Sequence, residues 1–170
     1  MAFYLEGAVR KAYKPAGRSW LHLHVFFPPS RREGDRHGGI VLFFGGGWQA
    51  GTPAQFAPQC RHLAGRGMVA IAAEYRVRAR HGTTAFESVA DGRSALRWVR
   101  RHAQELGVDP SRLAAGGGSA GGHVAACTAL AAEGVDEPGE DLSAPCRPDA
   151  LVLFNPVLDT VSLPLAAERL

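Results

Sequence analysis

Two hydrophobic periods alternate along this chain. From Ser19 to Phe27 every second position is apolar: Leu21, Leu23, Val25 and Phe27 share one side, and Trp20, His22, His24 and Phe26 the other. That is the pattern of a strand with one better-buried face. Ile40 to Phe44 is a continuous apolar run, as in a strand buried on both faces, and Gly45-Gly46-Gly47 stops it. Thr52-Pro53-Ala54-Gln55 reads as a capping box with proline at the first helical position. The helix it opens is expected to reach about Leu63 and to stop at Gly65, with Pro58 distorting its first turn. Met68 to Ala73 reads as a second buried strand. From Val89, apolar or small residues recur at 89, 92, 96, 99, 103 and 106, one face of a helix that Gly107 closes. A short strand at Leu113 to Ala115 runs into Gly116-Gly117-Gly118, and a helix follows from Ala120 to Ala132. Glu133 to Arg147 is an acidic loop, and Ala150 to Phe154 reads as another buried strand.

Strands alternating with helices define an α/β protein, a doubly wound, mostly parallel sheet with helices on both faces. In such sheets ligands sit at the carboxyl ends of the strands, where both glycine triplets fall. The 170 residues show no internal repeat and no linker, and read as a single domain. With 46% hydrophobic and 21% charged residues the chain has the composition of a folded domain. No apolar run approaches the ~18 residues of a membrane span, and Met1 to Arg10 has no secretory pattern. No membrane partner is therefore expected. Nineteen basic residues against 16 acidic ones give a net charge of +3, too balanced for a nucleic-acid footprint. Arg76, Arg78, Arg80, Arg93, Arg97, Arg100 and Arg101 read as a solvated helix face and the loop leading into it. Cys60, Cys127 and Cys146 are odd in number and form no Cys-x-x-Cys motif, which favours a reducing, cytoplasmic setting, with Cys127 a small core residue.

Gly117-Gly118-Ser119-Ala120-Gly121 matches G-x-S-x-G between a strand and a helix, the context a nucleophile elbow requires. Small residues two before and two after the serine keep strand and helix from colliding, and Gly122 lets the helix pack closely. Ser119 would stand at a helix N-terminus, where partial positive charge favours an oxyanion. Phe44-Gly45-Gly46-Gly47-Trp48 follows a buried strand, and consecutive glycines there can turn backbone N–H groups into a cleft. Acyl transfer needs two such donors. The N–H of Ala120 would be one and that of Gly46 or Gly47 the other.

In these motifs the stretch from Ile40 to Pro156 resembles the α/β-hydrolase fold, and within it the hormone-sensitive-lipase-like and feruloyl-esterase-like carboxylesterases. The matching pieces are Phe44 to Trp48, Glu74-Tyr75-Arg76, Asp91 to Val99, Gly107 to Arg112, Gly117 to His123, and Asn155-Pro156-Val157-Leu158-Asp159. The resemblance implies a serine hydrolase acting on small-molecule carboxylic esters through an acyl-enzyme on Ser119, with no cofactor or metal. It also implies an Arg76–Asp91 ion pair. The family's usual histidine before the glycines is Phe44 here, and Gly118 stands where many relatives have aspartate. With about 44 residues ahead of the glycine loop, no helical cap is expected.

In this fold the order is serine, acid, histidine. After Ser119 the sequence holds one histidine, His123, four residues on and in the same helix. It is expected to point along that helix and not to serve as the base; Asp159 is a candidate acid by location alone. The domain is therefore expected to be C-terminally incomplete, lacking the last strands, impaired as an esterase, and open to self-association through an exposed sheet edge at Ala150 to Phe154. His22 and His24 share a strand face but make too few ligands for a metal. Two other readings compete: a dinucleotide-binding domain using Gly116, Gly118 and Gly121 as G-x-G-x-x-G, and a catalytically inactive hydrolase fragment.

Overall fold

A computed structural model describes residues 3–130 and 135–160. β1 (Val9–Ala16) and β2 (Ser19–Phe26) form an antiparallel hairpin. β3 (His37–Phe43) follows, then a 3₁₀ turn (Pro53–Phe56), α1 (Ala57–Gly65) and β4 (Val69–Ala73). Next come a single turn α2 (Arg78–His81), the long α3 (Ala85–Arg101) and a short α4 (Ala103–Leu106). β5 (Val108–Gly118), α5 (Ala120–Leu130) and β6 (Ala150–Phe154) complete the described elements. The sheet runs β1-β2-β4-β3-β5-β6. β4, β3, β5 and β6 pair in parallel, while β2 joins β4 antiparallel.

Helices cover both faces. On β3, Ile40 and Leu42 look toward Pro58, His62 and Leu63 of α1. Phe43 looks the other way, onto Gly92 of α3, where an added Cβ would press on Val124 of α5. β3 and β4 are buried along almost their whole length because they lie mid-sheet, which is why their sequences are unbroken apolar runs.

Several expectations need correction. Thr52 makes no side-chain cap; the chain enters α1 through the 3₁₀ turn, and Pro58 falls within the helix's first two positions, where its missing N–H costs nothing. The second face of β2 is buried too at its far end, at His24 and Phe26, because β2 is an inner strand. β5 starts at Val108, not Leu113: the polar stretch Asp109 to Arg112 is exposed and hides the strand's periodicity, and its pairing with β3 shifts register between His37 and Gly39. The long helix breaks at His102, whose ring stacks on Trp98 at 3.9 Å and whose Nδ1 lies 2.8 Å from the Trp98 carbonyl. Its N-terminus is earlier than the apolar pattern suggests, fixed by a capping box between Thr84 and Glu87. Among the described strands β6 is outermost, and it is partly exposed instead of buried: Val152 is 40% and Phe154 45% exposed.

The arginine-rich stretch is solvated only in part: Arg78, Arg80 and Arg101 are exposed, but the arginines in the middle of α3 are not. Arg93 and Arg97 are buried and pair with Asp136 at 2.7 Å each. Arg76 grips Asp91 through Nε and Nη2 at 2.8 Å, the ion pair the resemblance implies. Lys14 of β1 reaches the same Asp91 at 2.7 Å and Glu137 at 2.8 Å. The acidic loop thus closes over α3, burying most of that helix on every side.

Candidate active site

Ser119 lies between the last residue of β5 and the first of α5, with φ of 53°. This left-handed conformation is costly for a residue with a Cβ and persists only where its surroundings over-determine it. They do. The Ser119 N–H donates to the Phe154 carbonyl at 3.0 Å, and the Ser119 carbonyl accepts from His123 N at 3.1 Å and Val157 N at 3.3 Å. The flanking glycines are required by contact: a Cβ on Gly117 would sit 2.6 Å from the Phe43 carbonyl oxygen and run into the backbone of Gly121. One on Gly121 would enter the backbone of Phe43 and Phe44. A Cβ on Gly122 would come within 2.9 Å of Pro156.

The glycine loop after β3 is pinned on several sides. The Tyr75 hydroxyl donates to the Phe44 carbonyl at 2.6 Å, with its ring stacked on Phe44 at 4.1 Å. The Gly45 N–H donates to Gln55 Oε1 at 2.5 Å. The Gly46 carbonyl accepts from Gln49 and Ala50, while the N–H groups of Arg78 and Ala79 hold the Trp48 and Gln49 carbonyls at 2.9 Å. Gly46 has φ of 141° and Gly47 of 60°, and Trp48 continues the turn at 59°. Among the described residues the N–H groups of Gly46, Gly47 and Ala120 donate to no other group. Gly45 packs against the elbow itself: an added Cβ would lie 2.9 Å from the Gly118 carbonyl and 3.4 Å from Ser119 Cβ.

A cavity of about 260 Å³ opens beside Ser119, lined by Gly45, Gln55, Phe56, Gly118, Phe154 and Asn155 among others. Phe56 and Phe154 form its apolar wall, their ring centroids 5.9 Å apart. A larger cleft, about 1180 Å³, lies at the opposite ends of the strands among Arg31, Arg36, Arg101 and Val108, away from both glycine loops.

His123 stands one turn beyond Ser119, with its backbone N–H bonded to the Ser119 carbonyl. Its ring meets Trp48 edge-on at 5.1 Å and its Nε2 lies 3.4 Å from Cys127 Sγ, one turn further along α5. Burial lowers its pKa, so the imidazole is neutral near pH 7, and burial raises that of the Cys127 thiol. Among the described residues nothing hydrogen-bonds the Ser119 hydroxyl. Asp159 is exposed on the segment after β6. His22 and His24 both converge on Glu74: His24 Nε2 lies 3.0 Å and His22 Nδ1 3.4 Å from its oxygens. Burial would raise the Glu74 pKa, but these histidines outweigh it and hold the carboxyl below its usual value. No group of three or more His, Cys, Asp or Glu that could hold a metal occurs among the described residues.

Two of the three glycines of the dinucleotide reading are already packed against protein. A Cβ on Gly116 would meet the Val152 carbonyl oxygen at 2.5 Å, and Gly121 abuts the β3 backbone, so neither opens onto space for a pyrophosphate. Sequence reasoning missed Gln55, Tyr75 and Asn155 as parts of the site. Gln55 was hidden by its fit to a capping box. Asn155, at φ of 40°, carried a signal in its position directly after β6.

The profile of the alpha/beta hydrolase fold family matches residues 40–169. Carboxylesterase NlhH of Mycobacterium tuberculosis is 37% identical over 123 residues, covering 72% of this chain and 37% of that protein. Esterase LipI of the same organism is 30% identical over 156 residues, 91% of this chain and 45% of that one. Thermogutta terrifontis esterase 2, phosphoramylated by tabun, superposes with a TM-score of 0.92 at 49% identity, over 98% of this chain and 62% of that one. The same esterase with propionate bound gives a TM-score of 0.90 at 49% identity, over 97% and 63%. The chain thus spans between about a third and two thirds of the length of these relatives. It belongs to the alpha/beta hydrolase fold family.

Proposed function

From that family membership we propose that this chain carries the nucleophile and oxyanion half of a serine hydrolase acting on small-molecule carboxylic esters. Ser119 Oγ attacks the ester carbonyl as its proton passes to water, and the carbonyl π pair moves onto oxygen. Return of that pair breaks the ester C–O bond, and the departing alkoxide takes up a proton to leave as the alcohol. Water then cleaves the acyl-enzyme to the acid and the free Ser119 hydroxyl. The N–H of Ala120 and that of Gly46 or Gly47 receive the developing negative charge. The observation that carries this reading is Ser119 held at φ of 53° at the strand-to-helix turn, with its neighbouring glycines packed backbone to backbone. The phosphoramylated and propionate-bound forms of the Thermogutta esterase support it by likeness.

A serine hydroxyl is a weak nucleophile until a base takes its proton, and His123 is turned to Trp48 and Cys127. Hydrolysis by these 170 residues is therefore slow, at the ~10³–10⁴-fold over water that oxyanion hole and binding leave when a triad member is lost. No described helix is long and apolar enough to cross a membrane. The thiols of Cys60, Cys127 and Cys146 are free, which supports a reducing, cytoplasmic setting. Among the described strands β6 is outermost, and its exposed Val152 and Phe154 support self-association between copies of these residues.

Prolonged incubation with a short-chain nitrophenyl ester followed by peptide mass mapping tests the reading. An acyl group on Ser119 is expected, with turnover close to that of Ser119→Ala. Acyl groups on lysines alone would overturn it. Fast, Ser119-dependent turnover would refute the slow-hydrolysis part and make His123 the first base to examine.

A further inference from the structure

We propose that Gln55 is a positioning residue of this site, holding the glycine loop in the conformation that presents its N–H groups to Ser119. The proposal rests on the serine-hydrolase reading and adds a residue to it. A capping-box glutamine would turn its side chain back to the Thr52 N–H. In the 3₁₀ turn the Gln55 N–H instead bonds the Thr52 carbonyl at 3.2 Å, while the side-chain Oε1 accepts from Gly45 N at 2.5 Å. Gly45 is the first residue of the loop, and it lies so near the elbow that an added Cβ would stand 2.9 Å from the Gly118 carbonyl and 3.4 Å from Ser119 Cβ.

The loop's other anchors hold it differently. Tyr75 holds the Phe44 carbonyl, Arg78 and Ala79 hold those of Trp48 and Gln49, and Arg80 Nη1 donates to the Gly51 carbonyl at 2.8 Å. All of these engage carbonyls. Gln55 engages an N–H of the loop, and it does so from the wall of the cavity that contains Ser119. With the Gly45 N–H committed to Gln55, the peptide plane between Phe44 and Gly45 is fixed from both ends, its carbonyl by Tyr75 and its N–H by Gln55. The N–H groups of Gly46 and Gly47, at φ of 141° and 60°, then extend from a set frame. Donors fixed before reaction cost no reorganisation when charge develops, so a loosened frame weakens oxyanion binding without removing any donor.

The test uses two readouts on the 170-residue chain, its Gln55→Leu and Gln55→Glu variants, and Ser119→Ala. The first is amide hydrogen exchange of Gly45 by NMR. Gln55→Leu should lose its protection, while Gln55→Glu, which keeps an acceptor at the same reach, should retain it. The second is equilibrium affinity for an alkylboronic acid, whose boron takes the Ser119 oxygen as fourth ligand and releases a proton to solvent. Gln55→Leu should weaken this adduct about tenfold, below the ~10²–10³-fold effect on rate of deleting an oxyanion donor outright. Gln55 is exposed, so thermal midpoints should match the parent; a lowered midpoint in Gln55→Leu is controlled by Gln55→Glu. Unchanged Gly45 exchange, or unchanged boronate affinity, in Gln55→Leu would overturn the proposal. Absence of a Ser119 adduct in the parent would instead refute the hydrolase reading, and Gly45 exchange would still decide whether Gln55 anchors the loop.

Discussion

Two regions of the molecule are built on opposite principles. On one side is the elbow, where β5, α5 and the glycine loop meet. It is held by backbone hydrogen bonds and by the absence of side chains at Gly117, Gly121 and Gly45, with no charged group in it. On the other is the cluster of Lys14, Arg76, Asp91 and Glu137, continued by Arg93, Arg97 and Asp136, in which long charged side chains from β1, α3 and the 135–141 loop converge. The elbow's geometry is local, so it must be exact to within an atom. The cluster's geometry is long-range, and it joins segments far apart in sequence. A strained serine and a loop of free N–H groups need a rigid support, and the charged cluster braces the helix that packs against α5.

The largest effect should come from breaking the cluster at its centre. Asp91→Ala leaves Lys14 and Arg76 without their shared carboxylate, and removing one partner of a buried pair costs about 3–5 kcal/mol. Urea unfolding should show that loss, whereas a loss under about 1 kcal/mol would mean that the brace is dispensable. At the elbow, Gly121→Ala adds one methyl against the carbonyls of Phe43 and Phe44. Overpacking typically costs 1–3 kcal/mol, and the upper end, about 3 kcal/mol, is expected because the obstacle is backbone. Gly65→Ala is the control: nothing lies within 4 Å of its added Cβ, and its midpoint should not fall.

A smaller effect separates the regions by pH. Burial would raise the Asp136 and Glu137 pKa values, but hydrogen bonds from Arg93 and Arg97 to the first, and from Lys14 and Arg76 to the second, hold both below their ordinary values. Folded values below unfolded ones mean that their stabilisation is complete above the unfolded carboxyl range of about 4 and is lost as pH falls through the folded values. Unfolding midpoints of the parent should therefore drop below about pH 4. Asp136→Asn with Glu137→Gln should flatten that slope, and Ser119→Ala, at the uncharged elbow, should leave it unaltered. An equal slope in the double variant would show that other carboxylates carry the acid response.

This contrast also governs what could be read from the sequence. The elbow was legible because its requirements are local: Gly117, Ser119 and Gly121 lie within five residues, and the apolar run before Gly45 announces a buried strand. The edge position of β6 was expected from chain order, although its residues looked buried, because apolar content alone does not say which strand stands outermost. The charged cluster was misread as solvated. Nothing near Arg93 or Arg97 in sequence reveals that Asp136 and Glu140, some 43 positions away, fold back onto them. Gln55 was missed for a related reason: a local motif, the capping box, explained it, and the competing acceptor role depends on the turn that brings it under Gly45.

The central claim is that Ser119 is an esterase nucleophile facing a preformed oxyanion site. Boron-11 NMR of the chain with an alkylboronic acid near pH 8 tests it without requiring a general base to set the rate. A tetrahedral boron signal that saturates with ligand and disappears in Ser119→Ala is expected; a spectrum unchanged by Ser119→Ala would show that Ser119 is not the nucleophile.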